Sequence, residues 1–412
     1  MNIAAASSDT AFVRKLLSLP ACGYLSAAYK HSLDTVPRGQ AECQWYPPRN
    51  QKRPKAIIVF FPDAATTGNP GLVEYYPPFL HKLQSLIPAS YGLISLGHVG
   101  HSLSLSFQTQ HLTLTEQIQV KIEFVQKLRK ELDAWREEEG QVKGDAGKTM
   151  IGLMGHSVGA EIAVQTIRGL EEPERAVSTS QQSKDATQPK QRITAAFLLF
   201  PTLANIAQTP NARRLRPLFH SPLLELAPVL VLLLKPIFLV IHLAHWLFPS
   251  LRQPATSSSS IYAPNATTIT MLETPIVVSH VLRLARSEME TILDPDLEWY
   301  NRNGQAGNGR VYSYWGANDG WVGKQGDAVK RALRGEDDRA ESTRGEEEEY
   351  GMVERVIDCQ DNIPHAFCLG EQYISNCRGI GADPAFGMIA HSDMIAEKVA
   401  EWVKHAFKQK QL

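Results

Sequence analysis

The stretch TMIGLMGHSVGAEIAVQ, residues 149–165, constrains the fold more than any other part of the chain. A short apolar run of strand type passes through a glycine-flanked serine directly into an amphipathic helical pattern. A strand that must reverse at once into a helix leaves its turn residue strained, with the side chain projecting outward. Gly155 and Gly159 stand where side chains would collide with the packed strand and helix, and Ala160 keeps that side slim. Ser157 is therefore a candidate nucleophile, with an ordinary turn serine as the alternative. The turn also aims the amide of Val158 and the start of the helix at the serine oxygen, where an oxyanion needs donors.

Five further apolar runs read as strands: residues 55–61, 91–97, 193–200, 310–316 and 352–358. Between them, Leu114, Ile118, Ile122, Val125, Leu128 and Leu132 mark one face of a long helix, capped by Thr113 or Thr115. Residues 391–407 form another amphipathic helix. Short apolar runs alternating with helical patterns predict an α/β fold, a doubly wound and mostly parallel sheet covered by helices.

The 412 residues, 43% hydrophobic and 21% charged, suit one large domain with insertions or two smaller ones. Residues 171–192, the serine run 257–260 and residues 330–350 lack apolar periodicity or are rich in charge. They read as insertions, the first and last as mobile surface loops. The organisation expected is an N-terminal extension (1–34) and a first core part (35–202, with loop 171–192). A cap (203–305, with an apolar hairpin at 221–248) and a second core part (306–412, with charged loop 330–350) follow.

Several function classes lose support at this level. Net charge is -1 and no basic stripe appears, so nothing favours a nucleic-acid partner. Five cysteines without CxxC spacing argue against a disulfide framework or a structural zinc site and favour a reducing, cytosol-facing location. No pair of histidines stands at metal-ligand spacing with a third ligand, and neither metal nor cofactor is expected. The first residues show no secretory signal pattern.

A serine nucleophile needs a base, and the base an orienting carboxylate. In a doubly wound hydrolase these follow later strands in the order serine, acid, histidine. Asp319 lies just past the run 310–316 and His365 just past 352–358, so both agree with that order. Asp361 in the histidine's own loop and His391 at the start of the last helix are the rivals. Asp319 as a turn-former before Gly320 is the plainer alternative. His156 should point away from the serine and pack. His98 and His101 are candidates for lining a pocket. A second oxyanion donor is expected after the run 55–61, from the loop GNPG, with Asn69 or Gly68 supplying the amide.

The segments GNPGLVEYYPPFLHKL, GHVGHS, LTEQIQVKIEFV, GHSVGAEIAV, LLFPTLANIAQTPNARRL, GANDGWV and IPHAF, in that order, resemble the lipid droplet-associated serine hydrolases, a branch of the α/β-hydrolases. The resemblance spans about residues 40 to 405. It implies a triad of Ser157, Asp319 and His365, a lipid ester substrate (sterol esters or acylglycerols), and residence on lipid droplets and the endoplasmic reticulum. The chain departs from the family pattern in DAATT, residues 63–67, and in a longer stretch before the last helix.

Residues 221–248 are the most apolar of the chain, but Glu225, Lys235, Pro228 and Pro236 interrupt the run. A hairpin inserted into the lipid droplet monolayer or one leaflet of the endoplasmic reticulum membrane is the preferred expectation. A buried cap core and a membrane span are the alternatives. The function expected is ester hydrolysis through an acyl-enzyme. A droplet surface protein with little turnover, and acyl transfer to an alcohol by the same residues, remain open beside it.

Overall fold

The computed structural model describes residues 24–63, 71–105, 110–140, 148–180, 193–219, 224–226, 229, 231–233, 264–304, 309–336, 353–359, 363–368 and 391–408. The elements run β1 (Leu25–Lys30), β2 (Gln40–Tyr46), β3 (Ala56–Phe61), α1 (Pro77–Leu86), β4 (Tyr91–Leu96), α2 (Leu114–Glu138), β5 (Met150–His156), α3 (Val158–Ser180) and β6 (Ala195–Leu199). Then come α4 (Pro210–Phe219), α5 (Pro264–Leu272), α6 (Pro275–Thr291), α7 (Leu297–Gly304), β7 (Val311–Gly316), α8 (Asp327–Arg334), β8 (Val356–Cys359) and α9 (His391–Lys408).

The eight strands form one sheet in the order β1-β2-β4-β3-β5-β6-β7-β8. β2 pairs antiparallel with β1 and β4, and every pairing from β4 through β8 is parallel. This is the α/β-hydrolase fold. Alternate residues of β3 enter different cores: Ile57, Val59 and Phe61 pack with α2 and α3, while Ile58 and Phe60 pack with α1 and α9. Both faces of the sheet are thus covered, which is why the strands read as continuous apolar runs.

Register decides where the chemistry can sit. Phe61 is level with Gly155, His156 with Leu199, Leu199 with Tyr314, and Gly316 with Cys359. The loops after β3, β5, β6, β7 and β8 therefore leave the sheet at one edge. The strand order reverses between β3 and β5, where such sheets leave a crevice.

All six expected strands are present, with ends shifted by a few residues. Two strands were not expected. β1 lies inside the stretch read as an N-terminal extension, and β2 looks polar because its Glu42 and Gln44 are buried. Glu42 accepts hydrogen bonds from Ser26, Ser102 and Ser104 at 2.7, 2.7 and 2.6 Å, which offsets the cost of burying it. Thr113, not Thr115, caps α2, through a reciprocal capping box with Glu116. The buried face of α2 also differs from the apolar stripe. Ile118 and Ile122 are only partly buried, while Lys121 is fully buried, with its ammonium donating to the Gly97 carbonyl.

Two of the expected loops are partly helical. α3 continues to Ser180, and Glu171 within it pairs with Arg310. α8 takes in Lys330–Arg334, where Lys330 and Arg334 both pair with Asp358 of β8. The serine run 257–260 lies outside the described residues. Between β6 and β7 the described residues include α4 to α7, and Arg283 of α6 pairs with Glu225 of the apolar stretch. Among the described residues no helix is long and apolar enough to cross a membrane. Cys43, Cys359 and Cys368 are buried and form no disulfide among the described residues.

Candidate active site

Ser157 stands between the last residue of β5 and the first of α3, in the left-handed region at φ 55°. A non-glycine residue held there is strained, and this serine is held by its surroundings. Its amide donates to Leu199 O at 2.9 Å, and its carbonyl accepts from Ala160 N at 3.0 Å. The flanking glycines are required by space. A Cβ at Gly155 would fall 2.0 Å from Gly159 O, and one at Gly159 would fall 2.2 Å from Phe61 O. The close approach of α3 to the end of β3 thus depends on both.

His365 Nε2 lies 2.7 Å from Ser157 Oγ, and His365 Nδ1 lies 2.5 Å from Asp319 Oδ2. Ser157 is fully buried and His365 is 9% exposed. Asp319 follows β7 and is fixed from its other side, where Oδ1 accepts from Trp321 N at 2.9 Å. Asp319 also takes part in the turn that follows it, its carbonyl accepting from Gly323 N at 2.8 Å. One residue therefore shapes the turn and faces the imidazole.

Electrostatics follow from the geometry. Burial pushes the Asp319 carboxyl up, but His365 and the amides of Trp321 and Val322 outweigh it and leave the group below its ordinary value. Burial likewise pushes the His365 imidazole down. The facing Asp319 carboxylate and its hydrogen bond prevail, with Asp63 adding to them, and the group ends above its ordinary value. The arrangement can take a proton from a serine hydroxyl and stabilise the imidazolium that results.

The other expected residues distribute around this line. Val158 opens α3, so its amide is among those without an intrahelical acceptor. Asn69, Gly68 and Asp361 lie outside the described residues. His391 opens α9, its Nδ1 without a hydrogen-bond partner among the described residues, and it is His365 whose Nε2 faces Ser157 Oγ. His98 and His101 are buried and stacked edge to face at 5.4 Å. His98 donates from Nε2 to Pro62 O at 3.2 Å, so the pair sits beside the end of β3. His156 packs, as expected of it, yet its Nε2 lies 2.8 Å from the carbonyl oxygen of His365.

Several residues near the line carry no sequence signal of their own. Phe200, just past β6, is at φ 46° and stacks on Phe367 with ring centroids 5.7 Å apart. Asn211 of α4 stands where a Cβ on Gly320 would fall, 2.7 Å from its Oδ1. Asp63 is fully buried directly after β3, and its amide donates to Tyr76 Oη at 3.0 Å. In the sequence Asp63 stands out only as the first residue of DAATT, the departure from the family pattern.

Comparison with known proteins gives the family. Residues 54–368 match the family described as lipid-droplet associated hydrolase. The chain belongs to that family. Lipid droplet-associated hydrolases from Homo sapiens and Pongo abelii are each 27% identical over 186 residues, covering 45% of this chain and 49% of theirs. The match thus spans about half the length of these two relatives. The hydrolase of that name from Gallus gallus is 22% identical over 271 residues, 65% of this chain and 71% of its own. Among solved structures the chain is similar to a hyperthermophilic esterase from Pyrobaculum calidifontis, with TM-score 0.44 and 11% identity, covering 96% and 87% of the two chains. A membrane phospholipase A described as a bacterial virulence factor gives TM-score 0.45 and 12% identity, covering 96% and 88%. Ser157, Asp319 and His365 fall inside the range 54–368.

Proposed function

We propose that this protein is a serine ester hydrolase acting on neutral lipid esters, sterol esters or acylglycerols, at the surface of lipid droplets. Ser157 attacks the ester carbonyl, His365 takes the hydroxyl proton and passes it to the leaving alcohol, and Asp319 holds the imidazole in the productive tautomer. The acyl-enzyme is then hydrolysed by water activated on the same histidine. The Val158 amide and an amide of the loop at Gly68 and Asn69 stabilise the oxyanion. The observation that carries this reading is the line of contacts from Ser157 through His365 to Asp319, at 2.7 and 2.5 Å.

The surface reading draws support from the apolar stretch between β6 and β7. Its described residues Leu226, Val229, Leu232 and Leu233 are 48 to 69% exposed. Side chains of that kind are stabilised by entering the acyl boundary of a droplet monolayer or of one leaflet of the endoplasmic reticulum, from the cytosolic side. Family membership points the same way.

The test is turnover of emulsified sterol ester and triacylglycerol by the purified chain, with intact-mass analysis during the reaction. Fatty acid release together with an added acyl mass on Ser157 supports the proposal. Absence of both, in protein that reacts with a short soluble ester, contradicts the substrate class.

A further inference from the structure

His156 is the residue before the nucleophile, it is fully buried, and the reaction steps above give it no part. Its ring lies against Phe367 at 4.9 Å, His365 at 5.3 Å, Tyr76 at 5.9 Å and Phe200 at 6.0 Å. Both ring nitrogens are engaged: Nε2 with His365 O and Nδ1 with Tyr76 Oη, each at 2.8 Å. Tyr76 Oη in turn accepts from the amide of Asp63 at 3.0 Å.

One assignment of protons satisfies both ring nitrogens of His156 and the Asp63 amide, beside the further contact that Tyr76 Oη makes with Cys368. The His365 carbonyl only accepts, so His156 Nε2 carries a hydrogen and donates. Burial, with His365 nearby, pushes the His156 imidazole down to about 3, so at neutral pH the ring has a single hydrogen. Nδ1 is then an acceptor, and the Tyr76 hydroxyl donates to it. The Tyr76 oxygen is left to accept from Asp63 N–H. The bonds run in one direction, from the end of β3 to the main chain of His365.

We propose that Tyr76 and His156 are positioning residues for His365, tying its main chain to Asp63 at the head of the loop after β3. The inference rests on the reading of His365 as the base. It assigns a cause to the placement of that base. His365 leaves the sheet on a loop, and a ring contact at Ser157 and another at Asp319 fix only its side chain. The hydrogen bond from His156 fixes the backbone that carries it, so the imidazole is held before substrate arrives. Without the tyrosine hydroxyl, His156 Nδ1 is a buried acceptor that has lost its donor, and the ring loses the contact that sets its position against the His365 carbonyl.

The test uses the full chain, a short soluble ester and the variants Tyr76→Phe, His156→Leu and His156→Gln, with Ser157→Ala in parallel. Thermal melts establish that each is folded at the assay temperature. Tyr76→Phe and His156→Leu should lower kcat by about 10- to 100-fold with KM within about twofold of wild type, as expected for a displaced base. His156→Gln, whose amide can still donate to His365 O, should recover part of the kcat lost in His156→Leu. Wild-type kcat in folded Tyr76→Phe, or a loss that only tracks the unfolded fraction, overturns the relay. A Ser157→Ala variant as active as wild type overturns the catalytic reading itself, and the relay with it. An inactive Ser157→Ala beside a fully active Tyr76→Phe removes the relay alone.

Discussion

Asp319 accepts the His365 Nδ1–H on Oδ2 at 2.5 Å and the Trp321 amide on Oδ1 at 2.9 Å, so its carboxylate plane is fixed from both ends. Replacing it with Asn puts an amide group opposite the imidazole and favours the wrong tautomer. Asp319→Asn should reduce kcat by roughly 10⁴-fold, the scale found when a triad aspartate is so changed in a serine protease. Steady-state kinetics on a soluble ester measure it. Near-wild-type turnover here, with a large loss in Asp361→Asn, would move the acid to Asp361.

The same contact sets a pH dependence. Burial lowers the His365 imidazole, but Asp319 raises it by more, and the base works only when neutral. Activity should therefore rise with pH through a limb centred above 6.5, the ordinary histidine value. Removing the Asp319 charge withdraws support from the imidazolium, so the residual activity of Asp319→Asn should show that limb at lower pH. A limb that stays in place would mean that another group titrates. The check is kcat/KM across pH for both proteins.

Gly159→Ala tests the packing of the elbow. Its Cβ would fall 2.2 Å from Phe61 O and 2.6 Å from Pro62 O, both backbone atoms of the sheet edge that cannot yield locally. A cost of about 1–3 kcal/mol is expected, with loss of activity as the end of β3 shifts away from Ser157. Gly169→Ala on the same helix is the control. There the Cβ meets the end of the Ile122 side chain, at 2.4 Å, and that side chain can rotate aside. Urea unfolding should place Gly169→Ala within about 1 kcal/mol of wild type.

Glu288 of α6 is fully buried, and neither carboxylate oxygen has a hydrogen-bond partner among the described residues. Burial pushes its carboxyl well above the ordinary value of 4.5, and Asp63 adds to the shift, so the folded protein holds this proton more tightly than the unfolded chain does. The associated stability is fully present below the unfolded value and is lost as pH rises towards the folded one. Glu288→Gln removes that dependence. The variant should gain stability relative to wild type as pH is raised from 5 to 8, measured by denaturant midpoints. A gap that is constant with pH would show that Glu288 does not titrate on unfolding.

Charging the apolar stretch tests where the protein works. Leu226, Val229, Leu232 and Leu233 changed together to Asp should move the protein from the droplet fraction to the cytosolic one, since each CH₂ removed from lipid forfeits about 0.8 kcal/mol. Hydrolysis of a short soluble ester should persist, because Ser157, Asp319 and His365 stand on loops of the sheet. Retention on droplets would place the anchor elsewhere in the chain.

Much of this architecture was legible because the parallel strands are buried on both faces, which turns each into an uninterrupted apolar run such as AIIVFF. The spacing of Ser157, Asp319 and His365 after three such runs then followed from the edge at which parallel strands release their loops. What stayed hidden is polar burial. β2 shows no apolar run because Glu42 and Gln44 are buried within it, Glu42 satisfied by Ser26 and Ser102 from distant parts of the chain and by neighbouring Gln44. Lys121 escaped because its partner, the carbonyl of Gly97, exists only in the folded chain. His156 was legible as a packed residue, whereas its bonds to Tyr76 and His365 join positions 80 and 209 residues away. Hydrogen bonds of that separation leave no periodicity to read.

The central claim is that Ser157 is an activated nucleophile, and reaction with a fluorophosphonate probe tests it most directly. The probe forms a covalent bond only with a serine whose proton is withdrawn, and it requires no knowledge of the natural substrate. Wild type should label at Ser157, as read by peptide mass, while Ser157→Ala should remain folded and unlabelled. Labelling of Ser157→Ala at the wild-type rate, or a wild-type protein that does not label at all, would contradict the account.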